Sequence, residues 1–147
     1  MSVEHATFVL ERDYPAPPAR VFNAFADPEL KQRWFGAPGW KWEMDFREGG
    51  REHTSGEFED GTAITFDSVY YDIVPDERIV YAYEMHSDGR RISVSVATFE
   101  LGPRGDGTRL RLTEQGAFLD GADTPGTREG GTVSLLDALG EVLASAA

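Results

Sequence analysis

Between Trp40 and Leu112 the chain repeats every two residues, and from Thr124 onward it repeats at helical spacing instead. That single change of period leaves few ways to fold. Trp40, Trp42, Met44 and Phe46 alternate with Lys41, Glu43 and Asp45. Val69, Tyr71 and Ile73 take one face of a long segment from Thr62 to Val74, and Ile79, Tyr81, Tyr83 and Met85 one face of the next. Such alternation marks strands with one buried face. Gly49-Gly50, Asp60-Gly61, Pro75-Asp76-Glu77 and Asp88-Gly89 cut the runs at hairpin spacing, which predicts an antiparallel sheet. Ile92 to Leu101 is β-branched, Gly102 to Gly107 is a loop, and Leu110 and Leu112 mark the last strand.

The end of the chain carries Leu135, Leu136, Leu139, Val142 and Leu143 on one helical stripe. The spacing predicts a helix from about Pro125 to Ser145. The apolar sheet face is the only partner large enough to bury that stripe. Gly126, Gly130, Gly131 and Gly140 weaken the helix, each by about 1 kcal/mol against alanine. Either its first turns fray or a close backbone contact requires them. At the other end, Phe8, Leu10 and Tyr14 read as a strand stopped by Pro15, Pro17 and Pro18. A short helix follows from Pro18 to Ala26, with Val21, Phe22 and Phe25 on one side. Asp27-Pro28-Glu29 starts a second, with Leu30 and Trp34 four apart, ended by Gly36 and Pro38-Gly39.

At 147 residues the chain is the length of one domain, taken as residues 1–147. Lys and Arg number 14 against 26 Asp and Glu, a net charge of −12, which repels phosphate backbones and anionic headgroups. Neither nucleic acid nor membrane is an expected partner. Cysteine is absent, which excludes disulfides, cysteine-ligated metals and thiol nucleophiles. No apolar run has the ~18–20 residues of a membrane helix. Met1-Ser2-Val3-Glu4-His5 lacks the features of a signal peptide, so the expected location is cytoplasmic.

The order of elements, with Ala16-Pro17-Pro18-Ala19-Arg20-Val21-Phe22, Asp27-Pro28-Glu29-Leu30, Trp34-Phe35, Gly49-Gly50-Arg51, Val74-Pro75-Asp76-Glu77-Arg78-Ile79-Val80, Gly107-Thr108-Arg109-Leu110, Thr113-Glu114-Gln115-Gly116-Ala117-Phe118 and Leu135-Leu136-Asp137-Ala138-Leu139, resembles the START-like (SRPBCC) superfamily. Within it the chain is similar to the activator of heat-shock protein 90 ATPase homologue family, which overlaps polyketide cyclase-like proteins. The resemblance implies an α+β helix-grip fold: a curved antiparallel sheet of about seven strands around a long C-terminal helix, with two short helices after the first strand. It also implies that the first and last strands are neighbours. Relatives often carry a tryptophan after the glycine leading into the last helix, whereas Thr132 follows Gly131 here.

Arg12 shares the apolar side with Phe8, Leu10 and Tyr14, and Glu114 with Leu110 and Leu112. A buried charge is costly unless paired, so with their strands adjacent the two are expected to meet. They form either a structural ion pair or a polar anchor at a cavity wall. His53 shares a strand with Arg51, Ser55 and Glu57. It reads first as a partly exposed strand histidine and second as a hydrogen-bonding group in the cavity. His5, His53 and His86 lie far apart, without H-x-H or H-E-x-x-H spacing, so neither metal nor cofactor is expected. No G-x-S-x-G elbow or phosphate-binding glycine loop is present.

The leading reading is a protein that binds an apolar or aromatic small molecule between sheet and last helix. The expected lining is drawn from Trp34, Phe35, Trp42, Tyr71, Tyr83, Met85 and Phe118, with Arg12, His53 or Glu114 as polar groups. Trp34 and Phe35, just before a Gly/Pro loop, are placed to form a gate. One alternative is a cyclase, dehydratase or isomerase in which Glu114, His53 and Arg12 supply acid–base chemistry. Another, from the family name, is a chaperone cofactor. Open sheet edges also allow a homodimer.

Overall fold

The computed structural model describes residues 1–145. Strand β1 (Val3–Tyr14) leads into helices α1 (Pro18–Ala26) and α2 (Pro28–Lys31). Six strands follow: β2 (Lys41–Met44), β3 (Arg51–Glu57), β4 (Ala63–Val74), β5 (Arg78–Ser87), β6 (Arg90–Arg104) and β7 (Gly107–Leu119). Helix α3 (Pro125–Ser145) ends the chain. The strands form one sheet in the order β1-β7-β6-β5-β4-β3-β2, antiparallel throughout. Every neighbour from β2 to β7 is consecutive in the chain, as hairpin turns dictate. Only β1 crosses over, to pair with β7 along its whole length.

The turns use residues that tolerate left-handed backbone. Asp76, Asp88 and Asp120 all have positive φ, a conformation open to Asp at modest cost. Helix α1 begins at Pro18, where the missing N–H costs nothing, and buries Val21, Ala24 and Phe25. Asp27 caps α2, its carboxylate accepting from the Glu29 amide at 3.0 Å. That helix is a single turn; Trp34 and Phe35 lie just beyond it and are nevertheless buried.

Strand β4 corrects the expected face. Ile64, Phe66, Ser68 and Tyr70 point into the core, while Tyr71 is 65% exposed. Both faces of this strand carry bulky apolar side chains, so periodicity alone does not choose between them. A β-bulge between Tyr70 and Asp72 then changes the parity. It brings Ile73 opposite Ile79 and back against the core.

Helix α3 takes the expected bounds. Thr124 Oγ1 accepts from the Thr127 amide at 3.1 Å and starts it. Leu136, Leu139, Val142 and Leu143 are buried, and Leu135 is half-buried beside them. The Tyr14 hydroxyl donates to the Leu136 carbonyl at 2.8 Å. A Cβ on Gly140 would lie 3.3 Å from the Tyr14 ring, whereas Gly126, Gly130 and Gly131 face open space. The close-contact explanation therefore holds for one glycine of the four. Thr132 is buried and its hydroxyl donates to the Arg128 carbonyl at 2.9 Å, one turn back along the helix.

Candidate functional site

The concave face of the sheet is largely aromatic, but a polar row crosses it. Cross-strand register places Glu52 opposite Ser68, Ser68 opposite Tyr83, Tyr83 opposite Ser95, and Ser95 opposite Gly116. Glu52, Ser68, Tyr83 and Ser95 are all more than nine-tenths buried. At the far end a Cβ on Gly116 would sit 2.8 Å from Ser95 Oγ and 3.2 Å from the Phe118 ring. Glycine is what lets these two side chains share the space.

Two charged clusters stand on this row. Beneath α3, the Arg128 guanidinium donates to the Tyr83 hydroxyl at 2.9 Å, to Ser93 Oγ at 2.8 Å and to Asp123 Oδ2 at 2.6 Å. The Tyr83 hydroxyl in turn donates to Glu114 Oε2 at 2.8 Å. The guanidinium lies 5.3 Å from the centre of the Phe118 ring, within cation–π range. Burial raises the Glu114 carboxyl above its ordinary range, against the opposing pull of Tyr83 and Arg128. Burial also raises the Tyr83 phenol, and the Glu114 carboxylate adds to that. Burial thus disfavours the charged form of both groups.

The second cluster lies at the α2 end. Lys31 Nζ donates to Glu52 Oε1 at 2.7 Å, and the Tyr70 hydroxyl donates to the same oxygen. Both charges are nearly sealed from water, at 2% and 1% exposure. The ammonium lies 4.8 Å from the Phe35 ring centre and 5.7 Å from that of Tyr81. Around this pair, several buried polar atoms have no partner among the described residues: Glu52 Oε2, Thr54 Oγ1, Ser68 Oγ and Trp42 Nε1, with Ser95 Oγ further along the row. Trp42 faces Thr54 across β2 and β3, so four of the five fall on three adjacent strands.

The expected Arg12–Glu114 pair does not form. Although β1 and β7 are neighbours, Arg12 stands opposite Leu110 and Glu114 opposite Phe8, four residues away along the strand. Arg12 instead reaches Asp137 on α3 at 3.6 Å. His53 is on the outer face, half-exposed, with Nδ1 at 2.5 Å from Asp67 Oδ1 across the strand pair. It is the strand histidine of the first reading and stands apart from the interior. Of the expected aromatic lining, Trp34, Phe35, Tyr83 and Phe118 are buried in the core, and Trp42 and Met85 pack half-buried at its margin. Tyr71 points away from it.

Phe35 meets Phe66 edge-on at 4.9 Å, and Phe66 meets Tyr83 at 4.7 Å, so aromatic rings occupy much of the interior over β4 and β5. The two depressions that stand out among the described residues lie elsewhere. One, of about 540 Å³, is open and is formed by His5, Thr7, Val94, Val96, Gln115 and Ala117. The other, of about 390 Å³, follows the β2–β3 turn at Asp45, Arg47 and Gly50. Among the described residues no three His, Asp or Glu side chains gather as metal ligands do, and no helix is long and apolar enough to cross a membrane.

Lys31, Glu52, Tyr70, Ser93, Asp123 and Arg128 were not legible as site residues. Lys31 precedes Trp34 and Phe35 by three and four positions, the spacing of one helical face, and this was the available signal. Arg128, Thr132, Leu136 and Leu139 follow the same spacing on α3. Glu52 lies in a polar strand whose alternation carries no apolar marker.

A curved antiparallel sheet closed by one long C-terminal helix, with polar groups set into the aromatic surface between them, defines the START-like helix-grip class of α+β protein. Within that class the chain belongs to the family described as Activator of Hsp90 ATPase homolog 1-like protein, whose model matches residues 15–144. The Mll3558 protein from Rhizobium loti is 47% identical over 97% of this chain and 99% of its own, with a TM-score of 0.91. An uncharacterised protein from Rhizobium leguminosarum is 43% identical over 98% of this chain and 97% of its own, with a TM-score of 0.93. Protein CV1439 from Chromobacterium violaceum is 28% identical over 93% and 96%, with a TM-score of 0.79. No curated protein matches in sequence.

Proposed function

We propose that this protein binds a small, mostly apolar or aromatic molecule bearing oxygen substituents, in the interior between the sheet and the helices that cover it. The observation that carries the reading is the group of unpartnered buried polar atoms on β2, β3 and β4: Trp42 Nε1, Glu52 Oε2, Thr54 Oγ1 and Ser68 Oγ. Buried polar groups in folded proteins are almost always hydrogen-bonded, and each left unmade costs about 1–3 kcal/mol. Four in one patch, on an aromatic wall, fit a guest that supplies the missing partners. Trp42 offers a donor, Glu52 an acceptor, and the two hydroxyls either. The Arg128 guanidinium, with five N–H groups, offers a further donor at the other end of the row. Since rings fill much of this interior, entry requires the α2–β2 segment or the start of α3 to move.

The test is titration with 1-anilinonaphthalene-8-sulfonate while tryptophan emission is followed, with near-ultraviolet circular dichroism to show that the protein stays native. Saturable binding with quenching is expected, weakened by Arg128→Met. An absence of binding by the native protein, with no small molecule retained on purification, overturns the reading and favours a chaperone-cofactor role of the kind the family's name describes. A second reading has one observation in its favour. The Tyr83–Glu114 contact joins two groups whose protons burial holds, an arrangement suited to general acid catalysis on a bound carbonyl.

A further inference from the structure

The two edges of the sheet are unequal. Strand β2 closes one edge with four residues, Lys41–Met44. Strand β1 forms the other with twelve, Val3–Tyr14, paired to β7 without a register shift from end to end and containing no proline. A long, regular edge presents a row of unpaired N–H and C=O groups, which natural proteins avoid leaving open. Val3 and Val9 on this strand are also 55% and 53% exposed.

From these features we infer that β1 is an interaction surface for a second copy of this chain, pairing antiparallel with β1 of its partner about a twofold axis at Phe8. The charge pattern selects the register. With Phe8 opposite Phe8, Glu4 falls opposite Arg12 and His5 opposite Glu11, each twice by symmetry, with Thr7 opposite Val9 and no like charges facing. Moving the axis by one residue along the strand places Asp13 opposite His5 and leaves Arg12 opposite Ala6, losing the Glu4–Arg12 match. Moving it the other way leaves Glu4 opposite Leu10 and His5 opposite Val9, with no charged pair among them. Half-residue steps place Glu4 opposite Glu11 or opposite Asp13. In the Phe8 register the concave faces stay on one side, so the two sheets become one continuous sheet with both helices α3 on the same face. Arg12 holds the Glu11 carbonyl at 3.0 Å and Asp137 at 3.6 Å, and Glu11 holds Arg111 at 3.3 Å, on exposed or half-exposed side chains; pairing exchanges these contacts for those across the axis.

The experiment is sedimentation of the whole chain. The wild type is expected at about twice the 16.3 kDa chain mass. Glu4→Arg and Arg12→Glu should each shift it to the monomer mass, and the double exchange should restore the dimer. That restoration separates lost pairing from misfolding. Because the chain has no cysteine, an equimolar mixture of Thr7→Cys and Val9→Cys chains should form an intermolecular disulfide clearly faster than either alone, since thiol access sets the rate. A monomeric wild type, a dimer untouched by both charge reversals, or equal cross-linking in all three samples overturns the inference.

Discussion

Lys31→Met removes one charge from a pair that has almost no water around it. Lys31 and Glu52 are 2% and 1% exposed, 2.7 Å apart. The Tyr70 hydroxyl is the only other donor recorded to that carboxylate among the described residues, and it binds the oxygen Lys31 already holds. Methionine keeps most of the side-chain volume, so the change is largely electrostatic. It leaves Glu52 as an uncompensated buried carboxylate, with Oε2 still unpartnered. Breaking a buried pair from one side costs about 3–5 kcal/mol, a large part of the roughly 5–15 kcal/mol total stability of a domain. For a chain of this length that is a fall in melting midpoint of roughly 6–20 °C, at about 2–4 °C per kcal/mol. Urea denaturation followed by tryptophan fluorescence measures it directly. Replacing both partners, Lys31→Met with Glu52→Leu, should recover most of the loss, because the pair's own attraction does little more than offset its desolvation. A single-variant loss below about 1 kcal/mol, the worth of an exposed pair, would refute the reasoning and place this pair in water.

Leu139→Ala, at a position with no exposure, should cost about 2–5 kcal/mol in the same denaturation experiment. Thr54→Val replaces an unpartnered buried hydroxyl with an apolar isostere and should stabilise the ligand-free protein by about 1 kcal/mol while weakening binding of the fluorescent probe; a destabilised variant would show that the hydroxyl has a partner. Glu114 has its carboxyl raised by burial, so between the unfolded and folded values the native state holds the extra proton. Its contribution to stability is therefore greatest at low pH and is lost as pH rises through the folded value. Glu114→Gln, which cannot ionise, should gain stability relative to wild type as pH rises from the ordinary carboxyl value of 4.5 toward neutrality. Parallel stability curves would contradict that.

Much of the architecture was legible because it rests on periodicity. The bounds of α3, the proline start of α1 and the chain of hairpins came from spacing that physical packing enforces. The face of β4 was not legible, because Phe66 and Tyr70 compete with Val69 and Tyr71, and a bulge after Tyr70 resets the alternation. The pairing of Arg12 with Glu114 failed for a different reason. Adjacent strands were correctly anticipated, but which residues face one another depends on register, and register here is set by turns and by the β1 crossover. Each charge on an apolar face did find a partner, on another element: Asp137 of α3 for Arg12, Tyr83 of β5 for Glu114. The Lys31–Glu52 pair is not legible in the sequence because each residue sits in a locally polar stretch, and only tertiary folding of α2 onto β3 buries them together.

Mass spectrometry of the gently purified protein tests the central claim most directly, by comparing spectra under native and denaturing conditions. A guest that satisfies the polar atoms of β2, β3 and β4 should appear as a native mass above that of the chain. It should be released on denaturation as an aromatic or largely apolar compound carrying oxygen, and be retained less by Thr54→Val and Arg128→Met. A native mass equal to that of the bare chain, in protein that also fails to take up the fluorescent probe, would contradict the account.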